Sequence, residues 1–161
     1  MASILALTVF AGLLIYAACS DIARMIIPNW VSIALAAAFP PAALMMGAPL
    51  ADTGMHLLFG AAVLAVGFFL FAANIFGGGD AKLLAAAAVW TGFGGFLPFI
   101  FWTALAGGAL ALLLLASRQF VKQAETNPPF VNHLLQKQNG IPYGVAIMCG
   151  GLIAIPSLPF V

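Results

Sequence analysis

The sequence predicts an all-α integral membrane protein: a bundle of about six transmembrane helices, forming a single domain over residues 1–161, with both termini outside the cytoplasm. Three observations predict it. Hydrophobic residues make up 65% of the chain and charged ones 6%, against roughly a quarter charged in a soluble domain. Apolar runs close to the roughly 18-residue length of a membrane crossing recur along the whole chain. In a six-span arrangement all five Lys and Arg fall on one side of the membrane.

The spans follow in order. The first covers 2–19. It lacks the basic start of a signal peptide, and in "YAACS" Tyr16 stands where a lipoprotein cleavage site needs a branched aliphatic residue, so it reads as a span. The second, 29–47, contains Pro40-Pro41, which is expected to kink or break it. The third covers 55–76. The fourth and fifth, 82–96 and 97–116, are divided only by "GFGGFLP". Merged, they run to about 34 residues, too long for one crossing. The sixth covers 142–160.

Charge orients the bundle. Arg24 follows the first span, Lys82 the third, and Arg118, Lys122 and Lys137 the fifth, while the opposite side carries Asp52 and His56. Cytoplasmic loops collect Lys and Arg. The loops near 20–28, 77–82 and 117–141 are therefore expected on the cytoplasmic face. No basic run points to nucleic acid as a partner; the lipid bilayer is the expected surrounding. Cys19 and Cys149 sit in separate spans and read as buried small apolar residues, and without a CxxC pair there is no zinc ligand set. His56 and His133 lie far apart and read as interfacial polar residues. Neither a metal nor a cofactor is expected. The segment 117–140, split by Pro128-Pro129, reads as a connector lying on the membrane surface.

Four acids remain: Asp21, Asp52, Asp80 and Glu125. Asp52 reads as a turn or helix-start residue and Glu125 as a solvated loop charge. Asp21 ends the first span, and Asp80 ends the glycine run "FGGGDAK" before the fourth, both at the cytoplasmic boundary. Taken singly, Asp80 is also readable as a helix cap and Asp21 as a partner of Arg24. Taken together, two carboxylates from different helices on one membrane face can converge. Neighbouring carboxylates do not both ionise readily, so the pair holds one proton. One member then acts as general base on a water and the other as general acid. This is aspartyl protease chemistry, which needs neither metal nor cofactor. Gly77, Gly78 and Gly79 would allow positive φ and close approach of a bound peptide; a plain flexible turn is the alternative.

The motif "GGGDAK", Gly77 to Lys82, resembles the GxGDxK signature of type IV prepilin peptidases, bacterial inner-membrane aspartyl proteases. "DIARMIIPN", Asp21 to Asn29, resembles the family's other signature, in which an aspartate ending a helix is followed by Ile-Pro-Asn. "IPYGVAI", Ile141 to Ile147, resembles the proline motif that opens its last span. The resemblance covers nearly the whole chain. It implies catalytic aspartates at Asp21 and Asp80, and cleavage of the short basic leader of a prepilin or pilin-like protein at the cytoplasmic face. Gly77 and Gly79 would then give close backbone approach. Pro28, beside Asn29, would set the start of the second span and Pro142 that of the sixth. Lys82 has two readings, orienting the loop or anchoring charge at the interface. Tyr143 also has two, lining the substrate path or sitting in the aromatic belt.

Larger members carry a cytoplasmic insert with two CxxC pairs and N-methylate the new pilin terminus. This chain has a connection of about nine residues there and no CxxC. The compact form looks like the peptidases serving Flp/Tad-type pili, without methyl transfer and without S-adenosylmethionine. A small proton-coupled transporter, or a non-catalytic subunit of a pilus or secretion machine, is the alternative reading of the paired acids.

Overall fold

A computed structural model describes residues 1–121, 127–136 and 140–158. Lys122, Glu125 and Lys137 lie outside the described residues, as does the side chain of His133. The described residues form helices and connections and contain no strand. The helices are α1 (Ala2–Arg24), α2 (Asn29–Met45), α3 (Leu50–Ala72), α4 (Gly78–Phe120), α5 (Pro129–Leu135) and α6 (Tyr143–Ile153), followed by a 3-10 turn at Ile155–Ser157. By length and composition α1, α3 and α4 can each cross a membrane, while α2 and α6 are shorter apolar helices.

Each expected span has a helical counterpart, with adjusted boundaries. Residues 82–96 and 97–116 belong to one 43-residue helix whose φ/ψ turn non-helical at Gly92 (φ 59, ψ −172). The division therefore falls earlier than the 96/97 boundary read from the sequence. Glycine alone is at ease in that conformation. The helix before Gly92 begins at Gly78, so the glycine run is largely helical. The third span is displaced: α3 starts at Leu50, straight after Pro49, with Asp52 in its first turn. Pro40-Pro41 does not break α2, which runs unbroken through both.

The core explains the arrangement. On α1 the buried residues Ala6, Phe10, Leu14, Ala17, Ala18 and Asp21 recur at spacings of three and four, one continuous stripe. On α2, Val31, Leu35, Phe39 and Ala43 form the matching stripe. The first half of α4 is buried nearly all round, from Ala85 to Gly92, and packs against α2 and α3, while α6 meets the second half at Phe99, Thr103 and Gly107. Trp90 sits at the centre. Its Nε1 donates to the Leu35 carbonyl at 2.8 Å, and its ring meets Phe10 at 5.1 Å and Phe39 edge-on at 5.7 Å between centroids. Small residues set the helix spacing. A Cβ on Gly67 of α3 would stand 3.0 Å from the Ala81 Cβ of α4, and one on Gly151 of α6 2.6 Å from Leu14 Cδ1 of α1. Close backbone approach of this kind is how helices gain packing energy within lipid.

His56 is tied into the helix packing at its end of the bundle. It stacks on Phe39 with ring centroids 5.0 Å apart, and its Nδ1 lies 2.8 Å from the Val89 carbonyl. A carbonyl only accepts, so Nδ1 carries the proton. The bond falls one turn before the Gly92 break, where the helical ladder is interrupted. Cys19 is exposed and Cys149 half-buried, so Cys19 is not the interior residue expected. The connector from 117 is shorter than expected, because α4 continues to Phe120 and α5 packs against α1 and α4 with Leu135 buried. Arg118 ties this end together, donating to the carbonyls of Leu134 and Gly140 at 2.9 Å each.

Candidate active site

Asp21 faces inward because it continues the buried stripe of α1, one turn beyond Ala17 and Ala18. The helix then ends in a tight left-handed residue, Met25 (φ 54), whose N–H returns to the Asp21 carbonyl. Ser20 Oγ donates to the Ile26 carbonyl at 2.8 Å and holds the following turn. Pro28, at φ −63 and ψ 135, is the residue before the first turn of α2. Pro142 stands in the same position before α6. Each proline thus flanks its helix from outside, just ahead of the first-turn position where proline is most favoured.

The chain brings Asp21 and Asp80 together. Both line a cavity of about 250 Å³ walled by Met25, Ile26, Ile27, Asn29 and Gly77 to Gly79. Asp21 is buried, and its Oδ2 accepts the Gly144 N–H at 2.7 Å. It therefore does not serve as the partner of Arg24. Gly144 is the second residue of α6, so the carboxylate occupies a helix N-terminus, where unpaired N–H groups and the helix dipole favour an anion. Asp80 is half-buried in the first turn of α4, and the residue that caps this helix is Gly77, without a side-chain cap bond. Asp80 is thus not the cap itself. One carboxylate is anchored by the backbone of a distant helix, and the other stands in the mouth of its own helix.

The glycines act through missing bulk. None of Gly77, Gly78 and Gly79 has positive φ, contrary to the freedom expected of them. A Cβ on Gly77 would collide with the Asp80 carboxylate, and one on Gly79 would stand 3.3 Å from the Ile27 Cβ. Lys82 Nζ donates to Asn29 Oδ1 at 2.8 Å, which joins two of the motif residues and ties the start of α4 to the start of α2. Removing either partner is expected to lower thermal stability by the same amount. The double variant Asn29→Ala/Lys82→Ala should fall short of the sum by about 1 kcal/mol. Additive losses in a thermal-melt cycle would show that the bond contributes nothing.

Tyr143 is not among the residues lining the cavity. It packs edge-on against Phe76 at 5.9 Å and over Gly107. Gly144 is the residue that sequence reasoning passes over, although it stands within "IPYGVAI". A Cβ there would lie 2.9 Å from Asp21 Oδ2 and 3.2 Å from Ile27 Cδ1. Gly144→Ala is therefore expected to push the Asp21 carboxylate off its N–H donor. Among the described residues there is no group of three or more His, Cys, Asp or Glu that could hold a metal.

A model of the type IV leader peptidase family matches residues 8–112, a stretch that takes in Asp21, the turn at Pro28 and the Gly77–Lys82 motif. Comparison with curated proteins and with solved structures gives no match.

Proposed function

The chain belongs to the type IV leader peptidase family, and from that premise we propose that it is a membrane aspartyl endopeptidase removing the short leader from prepilins or pilin-like proteins. The observation that carries the reading is the meeting of Asp21 and Asp80 in one cavity. In the proposed reaction the pair shares one proton. The unprotonated carboxylate takes a proton from a water, whose oxygen attacks the scissile carbonyl. The protonated carboxyl first shares its proton with the developing oxyanion. As the C–N bond breaks, the carboxyl that took water's proton gives it to the departing amine and the proton on the former oxyanion returns to the other carboxylate, so the pair regains its starting charge. Gly144 N–H holds Asp21 in place throughout, so that positioning costs no reorganisation during the reaction.

We place the cavity at the cytoplasmic face of a bacterial inner membrane. Arg24, Lys82 and Arg118 stand at helix ends, two of them beside the aspartates, in the pattern of a cytoplasmic boundary. The reading includes six crossings, with α4 contributing two of them on either side of Gly92, and both termini outside. It also includes service to a Flp/Tad-type pilus, without methyl transfer.

The direct test is to incubate membranes carrying the protein with a cognate prepilin and follow the shortened product by gel and mass. A product cut at the leader junction is expected; an uncut prepilin under conditions where the protein is folded overturns the reading. In the same assay Gly144→Ala should lower kcat by about a hundredfold, within the range known for lost catalytic positioning, with smaller change in KM. An unchanged kcat would remove Gly144 from the proposed site.

A further inference from the structure

A second cavity, a lateral groove of about 490 Å³, lies between α2, α3 and α4. Its walls are mostly apolar and mix small with larger residues: Ala36 beside Ile33 on α2, Gly60 and Ala61 between Leu57 and Leu64 on α3, Ala85 below Val89 on α4. One end is polar. Asn29 and Lys82 line that end, and Asn29 also walls the cavity holding Asp21 and Asp80. The groove and the aspartate cavity therefore share a boundary residue. Along α2, Asn29, Ser32 and Ala36 face the groove at spacings of three and four, so Ser32 lies one turn deeper than Asn29.

Ser32 marks what the groove takes. It is 7% exposed, and its Oγ has no hydrogen-bond partner among the described residues. A buried hydroxyl left unpaired is costly. An acyl chain offers no polar atom at that depth and leaves the hydroxyl unpaired. A peptide that changes from extended to helical offers the unpaired N–H groups of its first helical turn. A scissile bond must be extended to be attacked, so such a change has to occur just beyond it. Small residues along the walls let a helix backbone come close.

We infer that this groove seats the first turns of the substrate's apolar helix, with the enclosed Ser32 Oγ turning about χ1 to accept one of its unpaired N–H groups and the scissile bond passing over Asn29 to the aspartates. The inference rests on the leader peptidase reading. It adds the docking surface that sets substrate register, and it gives Ser32 and Ala61 positioning and specificity roles.

The test compares two substrates in vesicles containing the purified protein: a prepilin that keeps its leader and apolar segment, and a soluble peptide that spans the scissile bond and stops before that segment. Ala61→Phe, at an exposed position on the groove wall, should reduce the preference for the prepilin over the peptide by about tenfold or more. Ser32→Ala should raise KM for the prepilin about fivefold with kcat unchanged, the worth of one hydrogen bond. Leu112→Phe, on a lipid-facing part of α4, serves as control and should alter neither. An unchanged preference in Ala61→Phe overturns the docking site. If the wild-type protein cuts neither substrate, the peptidase reading fails, and a second measurement still judges the groove. A photoreactive residue at position 61 in the Asp80→Asn variant should capture the apolar segment of the prepilin, whereas adducts with phospholipid alone overturn the proposal.

Discussion

Asp80→Asn is expected to cut prepilin processing by about a thousandfold or more while leaving the protein folded, and Asp21→Asn to do the same. Asparagine has nearly the volume of aspartate, so neither the cavity walls nor the turn Met25–Pro28 should move. What is lost is the proton. An amide neither takes one from water nor gives one to a leaving group at working pH. Residues that act as a unit are also non-additive, so the double variant should be no worse than either single one. At position 21 an asparagine Oδ1 can still accept the Gly144 N–H that Asp21 Oδ2 accepts now at 2.7 Å. Thermal stability is therefore the control: an unchanged melting temperature with absent product supports the dyad. Processing within tenfold of wild type in either variant removes that aspartate from the reaction. Asp52 supplies the comparison, since it lies in the first turn of α3 and outside the cavity. Asp52→Asn should change processing by less than about twofold.

The second large effect is on stability. Gly92→Ala is expected to destabilise the protein by about 3–5 kcal/mol, from backbone strain together with a disturbed hydrogen bond and packing. Gly92 holds φ 59 and ψ −172 inside α4, a region that a Cβ makes costly. The new methyl would also fall on the His56 ring, which stacks on Phe39 and donates to the Val89 carbonyl at 2.8 Å. Phe39 in turn packs on Trp90, so the displacement reaches the centre of the core. A fall of roughly 10 °C in melting temperature is expected. Gly94→Ala, two residues on, is the control: an added Cβ there meets nothing within 4 Å. It should leave the melting temperature unchanged or slightly raised, as alanine favours helix. Equal melting of the two variants would show that the break in α4 carries no structural weight.

The membrane class, the near positions of the helices and the two aspartates were legible in the sequence because each rests on local information. Hydropathy marks a span through consecutive residues, and the spacing of Ala6, Phe10, Leu14 and Ala17 already turns Asp21 inward. The "FGGGDAK" and "IIPN" stretches carry their resemblance within a few residues. Proline misled at one point. Pro40-Pro41 signals a kink or a break, and the break does not occur: α2 continues through both, packed by Leu35, Phe39 and Ala43 against its neighbours. The glycines misled at another, since their number implied conformational freedom where the fold uses only their lack of a side chain.

What the tertiary structure alone decided is long-range. The partner of Asp21 is a backbone N–H 123 positions away, and no local pattern distinguishes that amide from its neighbours. Lys82 finds Asn29 across 53 positions, a pairing that neither of the two short motifs carries by itself. The break at Gly92 rather than at 96/97 follows from the His56 ring packed against that turn. In the sequence, "GFGGFLP" offers several equivalent glycines. Composition and periodicity determine which residues must leave water and which face of a helix they share. Which helices then meet, and which single atoms they bring within hydrogen-bond reach, depends on side-chain volumes matched between distant segments, and that match exists only in the packed bundle.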